Sequence, residues 1–153
     1  MKKERKEKLI NKAREKAEDY FKRGDYYCSE SVITTINEML GQPFQPEIVK
    51  MASGFPIGIG KSKCLCGAVS GGVMALGLAY GREKPGAEMP DSFPNSADLH
   101  DHIIDKYGST CCRVLTKDFE DFNSPERAEH CYDITGEVAA WVMENFIEND
   151  VIE

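Results

Sequence analysis

The sequence predicts an all-α fold, and three observations carry that prediction. Apolar residues recur at three- and four-residue intervals along most of the chain, with almost no period-two alternation. The periodic stretches are bounded by Gly, Pro, Ser and Asp at positions that start or stop helices. One run, Cys66 to Tyr80, is uncharged and rich in glycine and alanine, as a helix packed among other helices would be. The expectation is one compact helical bundle over residues 1–153, of six or seven helices, with a glycine-rich loop before the buried small-residue helix.

Glu4 to Arg23 carries Leu9, Ile10, Ala13, Ala17, Tyr20 and Phe21 as a one-sided stripe, and Gly24 stops it. The basic residues 1–8 before and within its start are expected to fray. Asp25 is placed to cap a second helix from about Tyr26 to Leu40, through Val32, Ile33 and Ile36, ended by Gly41 and Pro43. Pro46 suits the first position of a short helix to Ala52. Ser53 to Lys63 (SGFPIGIGKSK) is a loop. Cys66 to Tyr80 follows as a central helix whose Gly67, Gly71, Gly72 and Gly77 admit close neighbours, with Gly81 at its end.

Arg82 to Asn95 holds Pro85, Gly86, Pro90 and Pro94 and is expected on the surface. Ser96 or Asp98 would cap a helix to Tyr107, and Gly108-Ser109 would turn the chain into a short helix from Cys111 to Leu115. Ser124 with Pro125 is an N-cap and first-position pair. It opens a long helix through Cys131, Ile134, Val138, Trp141, Val142 and Phe146. The predicted core is Ile33, Ile36, Val73, Leu76, Ile103, Val138, Trp141 and Val142.

The formal charge, 19 − 26 = −7, argues against a nucleic-acid surface, which needs clustered positive charge. No apolar run reaches the roughly 20 residues that cross a bilayer, and the charged first residues do not resemble an export signal. A cytoplasmic location is expected, where thiols stay reduced and cysteines serve metal or redox chemistry rather than a disulfide framework. Gly60-Lys61-Ser62 resembles the end of a phosphate-binding loop, but the first glycine of that motif would fall on Phe55.

The chain holds Cys28, Cys64, Cys66, Cys111, Cys112 and Cys131. Three of them stand where helices should begin, and helix N-termini favour a thiolate. Cys64-Leu65-Cys66 and Cys111-Cys112 lack the CxxC spacing of zinc knuckles. One cysteine of each pair is expected to face a site. Cys64 and Cys111 are taken as the bystanders that merely pack. His100, His102 and His130 are expected on the surface.

These residues resemble the C_GCAxxG_C_C family of redox-active proteins, defined by four cysteines and a CGAxxG segment. That segment stands here as Cys66-Gly67-Ala68-Val69-Ser70-Gly71. The family's first cysteine maps onto Cys28, its GSxxCRxL pattern onto Gly108, Ser109, Cys112, Arg113 and Leu115, and its last cysteine onto Cys131. The Ala52-Ser53-Gly54-Phe55 approach through Gly58, Ile59 and Gly60 is also similar, whereas Cys64 and Cys111 are extra.

The resemblance implies a small helical redox domain with an iron–sulfur cluster, [2Fe–2S], on Cys28, Cys66, Cys112 and Cys131. Two alternatives stay open. One is a structural zinc site on the same thiolates. The other is a cofactor-free dithiol oxidoreductase with Cys66 as nucleophile and Cys28, Cys64 or Cys112 resolving. A redox partner protein is implied, a homodimer is left open, and the residues suit a carrier as well as an enzyme.

Overall fold

The computed structural model describes residues 1–153 and contains no strand. Six right-handed helices follow in order: α1 (Lys3–Lys22), α2 (Cys28–Met39), α3 (Gly67–Tyr80), α4 (Ser92–Tyr107), α5 (Cys112–Leu115) and α6 (Pro125–Glu148). A 3-10 helix, Pro46–Ala52, and a tight turn, Pro56–Ile59, join α2 to α3.

The longest helix pair is α1 on α6, and α2 touches α1, α3, α6 and the 3-10 helix. The stripe of α6 reads Ile134, Val138, Val142 and Phe146, one residue per turn, and all four are buried. They meet Val32, Ile33 and Ile36 of α2, Val69 and Leu76 of α3, and Leu99 and Ile103 of α4 in one hydrophobic cluster. Each such side chain contributes roughly 1.5–3 kcal/mol on leaving water. No helix is long and apolar enough to cross a membrane.

The glycines of α3 serve close approach. A methyl at Gly71 would stand 2.6 Å from the Ser29 carbonyl oxygen on α2, and one at Gly72 would stand 2.5 Å from Val138 on α6. Residues 67–72 of this helix are buried on every side, but from Val73 onward it is covered on one side only. Val73, expected in the core, is 39% exposed, and Trp141 is only half-buried. A helix apolar all round gives no stripe from which to read its outward face.

Other boundaries shift for local reasons. α1 is helical from Lys3, and Lys6 pairs with Glu144 and Glu148, so the segment expected to fray is docked on α6. α2 starts at Cys28, not Tyr26, because Glu30 accepts a hydrogen bond from the Tyr27 N–H at 3.0 Å in place of a cap from Asp25. α4 starts at Ser92 with Asp91 at its N-cap, five residues before the Ser96 cap position, since Pro94 lies in its first turn, where no amide donor is needed. Ser124 caps α6 as expected, accepting from the Arg127 N–H at 3.2 Å.

The glycine-rich loop winds the wrong way. Ile57 (φ 56°, ψ 39°) and Gly58 (φ 62°, ψ 74°) are left-handed, and Ile59, Gly60, Lys61 and Lys63 also have positive φ. For β-branched residues this conformation is costly and persists only where surrounding contacts impose it. Gly58 is held against the Lys63 and Cys64 backbone with no room for a Cβ.

Candidate functional site

Four cysteines from four separate elements reach one place. Cys28 is the first residue of α2, and Cys66 immediately precedes α3. Cys112 is the first residue of α5, and Cys131 lies in the second turn of α6. All four line a cavity of roughly 200 Å³, walled also by Phe21, Tyr27, Ile57, Leu115, Phe122 and Arg127. That space is several times the ~30 Å³ share of one water.

Local bonds fix each position. Ser29 Oγ donates to the Ala52 carbonyl at 2.8 Å, and Ser53 Oγ donates to Glu30 at 2.8 Å, so the start of α2 is clamped to the end of the 3-10 helix. The Cys66 N–H donates to the Thr110 carbonyl at 2.7 Å, bringing the start of α3 beside the start of α5. Thr116 Oγ1 donates back to the Cys112 carbonyl at 2.7 Å, and Thr135 Oγ1 to that of Cys131 at 2.8 Å.

Helix starts were expected to depress the thiol pKa values, and burial reverses that expectation. Desolvation pushes Cys66 up to about 11, although the amides of Val69 and Ala68 pull in the other direction without reaching full capping geometry. Cys28 is driven up by burial and by neighbouring Cys66, with weaker opposition from the Ser29 and Ile57 amides. Cys112 is raised by burial and by Cys131, against the positive charges of Arg127 and Lys63. Partial helix-end charge is small beside the loss of solvent around a buried anion.

Arg127, which the sequence reading passed over, places Nη1 3.7 Å from Cys131 Sγ. It stands one helical turn before Cys131, a spacing that puts the two side chains together. Its guanidinium and the Lys63 ammonium lie against the Phe122 ring, 4.3 and 4.7 Å from its centre. Arg127 and Phe122 thus line the cavity beside Cys112 and Cys131, and the Lys63 charge acts on Cys112 from outside that lining.

No group of three or more His, Cys, Asp or Glu side chains is placed to hold a single metal ion. Tetrahedral zinc at about 2.3 Å from each sulfur would need thiolates about 3.8 Å apart. The thiols here surround a space rather than a point.

Cys64 and Cys111, expected to be unconnected packing residues, form a disulfide with a Cα–Cα separation of 4.6 Å. Each lies within two residues of a cavity cysteine, and no local signal pairs residues 47 positions apart. The histidines also depart from a uniform surface placement. His102 is half-buried and bonds Glu137 at 2.9 Å, and His130 packs edge-on against Tyr107 and at a tilt against Phe119, while His100 is exposed. None of the three lines the cavity.

No curated protein and no solved structure matches the chain. The family model Putative redox-active protein (C_GCAxxG_C_C) matches residues 26–145, a span that begins just before Cys28 and ends beyond Cys131. With most of its length and all four cavity cysteines inside that match, the chain belongs to the C_GCAxxG_C_C family of redox-active proteins.

Proposed function

We propose that the cavity holds an iron–sulfur cluster, most simply [2Fe–2S], on Cys28, Cys66, Cys112 and Cys131, and that the protein carries electrons to or from a partner protein. The observation that supports this reading is the convergence of four thiols, one from each of four elements, on a single partly open cavity. Four thiolates satisfy the ligand requirement of such a cluster, which supplies one-electron oxidation and reduction when bound.

The chain's own residues suit the task in three ways. Burial of Cys66 and Cys112 shields two of the four sulfurs from water, with Cys28 and Cys131 half-buried beside them. Arg127 and Lys63 offset part of the negative charge that four thiolates would bring. Amides of Ala68 and Val69 face Cys66, and those of Ser29 and Ile57 face Cys28, as donors to ionised sulfur. A cytoplasmic setting is part of this proposal, because reduced thiols are needed for ligation.

Cofactor-free exchange at Cys66 has less support. That chemistry needs an accessible thiolate, whereas Cys66 is 9% exposed and its thiol is pushed up to about 11.

Anaerobic purification with iron, sulfide and zinc analysis and a visible spectrum tests the reading. Iron and acid-labile sulfide with a coloured protein are expected. Cys28→Ser and Cys131→Ser should each lose most of both. A colourless protein with stoichiometric zinc would overturn the cluster, and full metal content in both variants would overturn the shared site.

A further inference from the structure

The Cys64–Cys111 disulfide lies outside the four-thiol cavity yet is built into its frame. It joins segment 63–66 to segment 110–113, and two backbone hydrogen bonds flank it, Cys66 N–H to Thr110 O at 2.7 Å and Arg113 N–H to Lys63 O at 2.8 Å. Cys66 and Cys112, which line the cavity, sit on these same two segments. Cys64 is exposed and Cys111 half-buried, so an incoming thiol can reach the bond from solvent. Lys63 and Arg113 flank the two cysteines in sequence and carry positive charge in a chain that is acidic overall. Such charge favours an attacking or departing thiolate.

The segment before Cys64 stores a second relevant feature. Ile57, Ile59, Lys61 and Lys63 all hold positive φ, a conformation kept by outside contacts. Once the disulfide opens, the bonds left between the two segments are the two flanking backbone ones and an Arg113 side-chain bond to the Ser62 carbonyl at 3.3 Å.

We propose that Cys64–Cys111 is a second redox site, one that exchanges with an external protein dithiol, and that its reduction releases the segments bearing Cys66 and Cys112 from each other. The partner's thiolate attacks Cys64 Sγ, the Cys64–Cys111 bond breaks, and Cys111 leaves as a thiolate and takes up a proton. The partner's second thiol then attacks its own sulfur in the mixed disulfide and releases Cys64. The partner is oxidised to a disulfide, and Cys64 and Cys111 are reduced to two thiols, two electrons and two protons having passed. In a reducing compartment a disulfide that exchanges is of the transient, signalling or catalytic kind rather than a static staple. The frame of the cavity therefore has a tied and an untied state, selected by thiol–disulfide poise.

The test uses the full chain as purified, equilibrated in buffers of increasing reduced-to-oxidised dithiothreitol. Mass spectrometry follows the Cys64–Cys111 linkage, and hydrogen exchange follows the amides of Cys66 and Arg113. The expected result is a two-electron transition without change in far-UV circular dichroism, accompanied by at least ten-fold faster exchange at these two amides. Exchange over Ile134–Phe146 of α6 should stay constant. A Cys64→Ser/Cys111→Ser chain should show the fast exchange in every buffer, and if it does not fold the titration of the natural chain decides alone. Three results would overturn the proposal: no linked peptide after air oxidation, a linkage that resists dithiothreitol until the protein unfolds, or exchange that is unchanged across the transition. Iron content is not a readout, so this outcome is separate from that of the cluster proposal.

Discussion

The sulfur of Cys28 rests against the α-carbon of Gly67, where a methyl group would stand 2.5 Å from Sγ and 3.1 Å from the Phe55 carbonyl oxygen. The glycine after Cys66 is therefore required by the neighbouring cysteine, since any side chain there would push Cys28 out of the cavity wall. Gly67→Ala should destabilise the fold by about 1–3 kcal/mol, the usual cost of overpacking. It should also lower bound iron relative to the natural chain. Urea denaturation and metal analysis on the same preparation check both effects; unchanged stability and loading would show that Cys28 moves aside freely.

A paired substitution in α3 separates close approach from glycine's backbone cost. A methyl at Gly72 would meet Val138 at 2.5 Å and Leu99 at 2.7 Å, whereas at Gly77 nothing lies within 4 Å. Gly72→Ala should cost about 1–3 kcal/mol. Gly77→Ala, an open helical position, should gain about 0.5–1 kcal/mol. Opposite shifts in the urea midpoint are the expected signature.

Glu137 gathers two cations and one imidazole, with Arg14 at 2.6 Å and Lys106 and His102 each at 2.9 Å, tying α1 and α4 to α6. Burial opposes its ionisation, but the hydrogen bonds from Lys106, Arg14 and His102 outweigh that and lower its pKa from 4.5 to about 2. A lowered folded-state pKa gives stability that is present above the unfolded value and lost as the group protonates. The contribution should thus hold above pH 4.5 and vanish as pH falls toward 2. With the cations partly solvated, roughly 2 kcal/mol is expected, and Glu137→Gln should remove it near neutrality. Denaturation between pH 7 and pH 3 should show a shallower acid slope in the variant.

Ser124 caps the helix that carries both Arg127 and Cys131. Ser124→Ala should cost about 1 kcal/mol, the typical worth of an N-cap. Fraying should stay local to the first turn of α6. Amide exchange should rise around Arg127 and stay slow at Val138 and beyond.

The Ser124-Pro125 start of α6 was legible because capping is a local code. So was the Gly108 stop of α4, where φ is 86°. Pro94 misled for the same local reason, since a first-turn proline and a breaker look alike without knowledge of where the helix begins. The four cavity cysteines were legible as a set through their motif, but not their electrostatics. A helix start can be read from sequence, whereas the solvent lost by Cys66 depends on α2, α5 and α6 closing over it. Val73 was hidden by the uniform apolarity of α3, and the Cys64–Cys111 bond by the distance along the chain that it spans.

That span has a meaning for the unfolded chain. The bond closes a loop that contains all of α3 and α4, with its ends 47 positions apart. In the chain-entropy account, tethering a denatured chain over such a length removes disorder worth about 4 kcal/mol at 25 °C. Domains of this size have total stabilities of about 5–15 kcal/mol. The concentration of reducing thiols around the protein is then also a thermodynamic lever on whether it stays folded, and this part of its effect acts on the denatured ensemble.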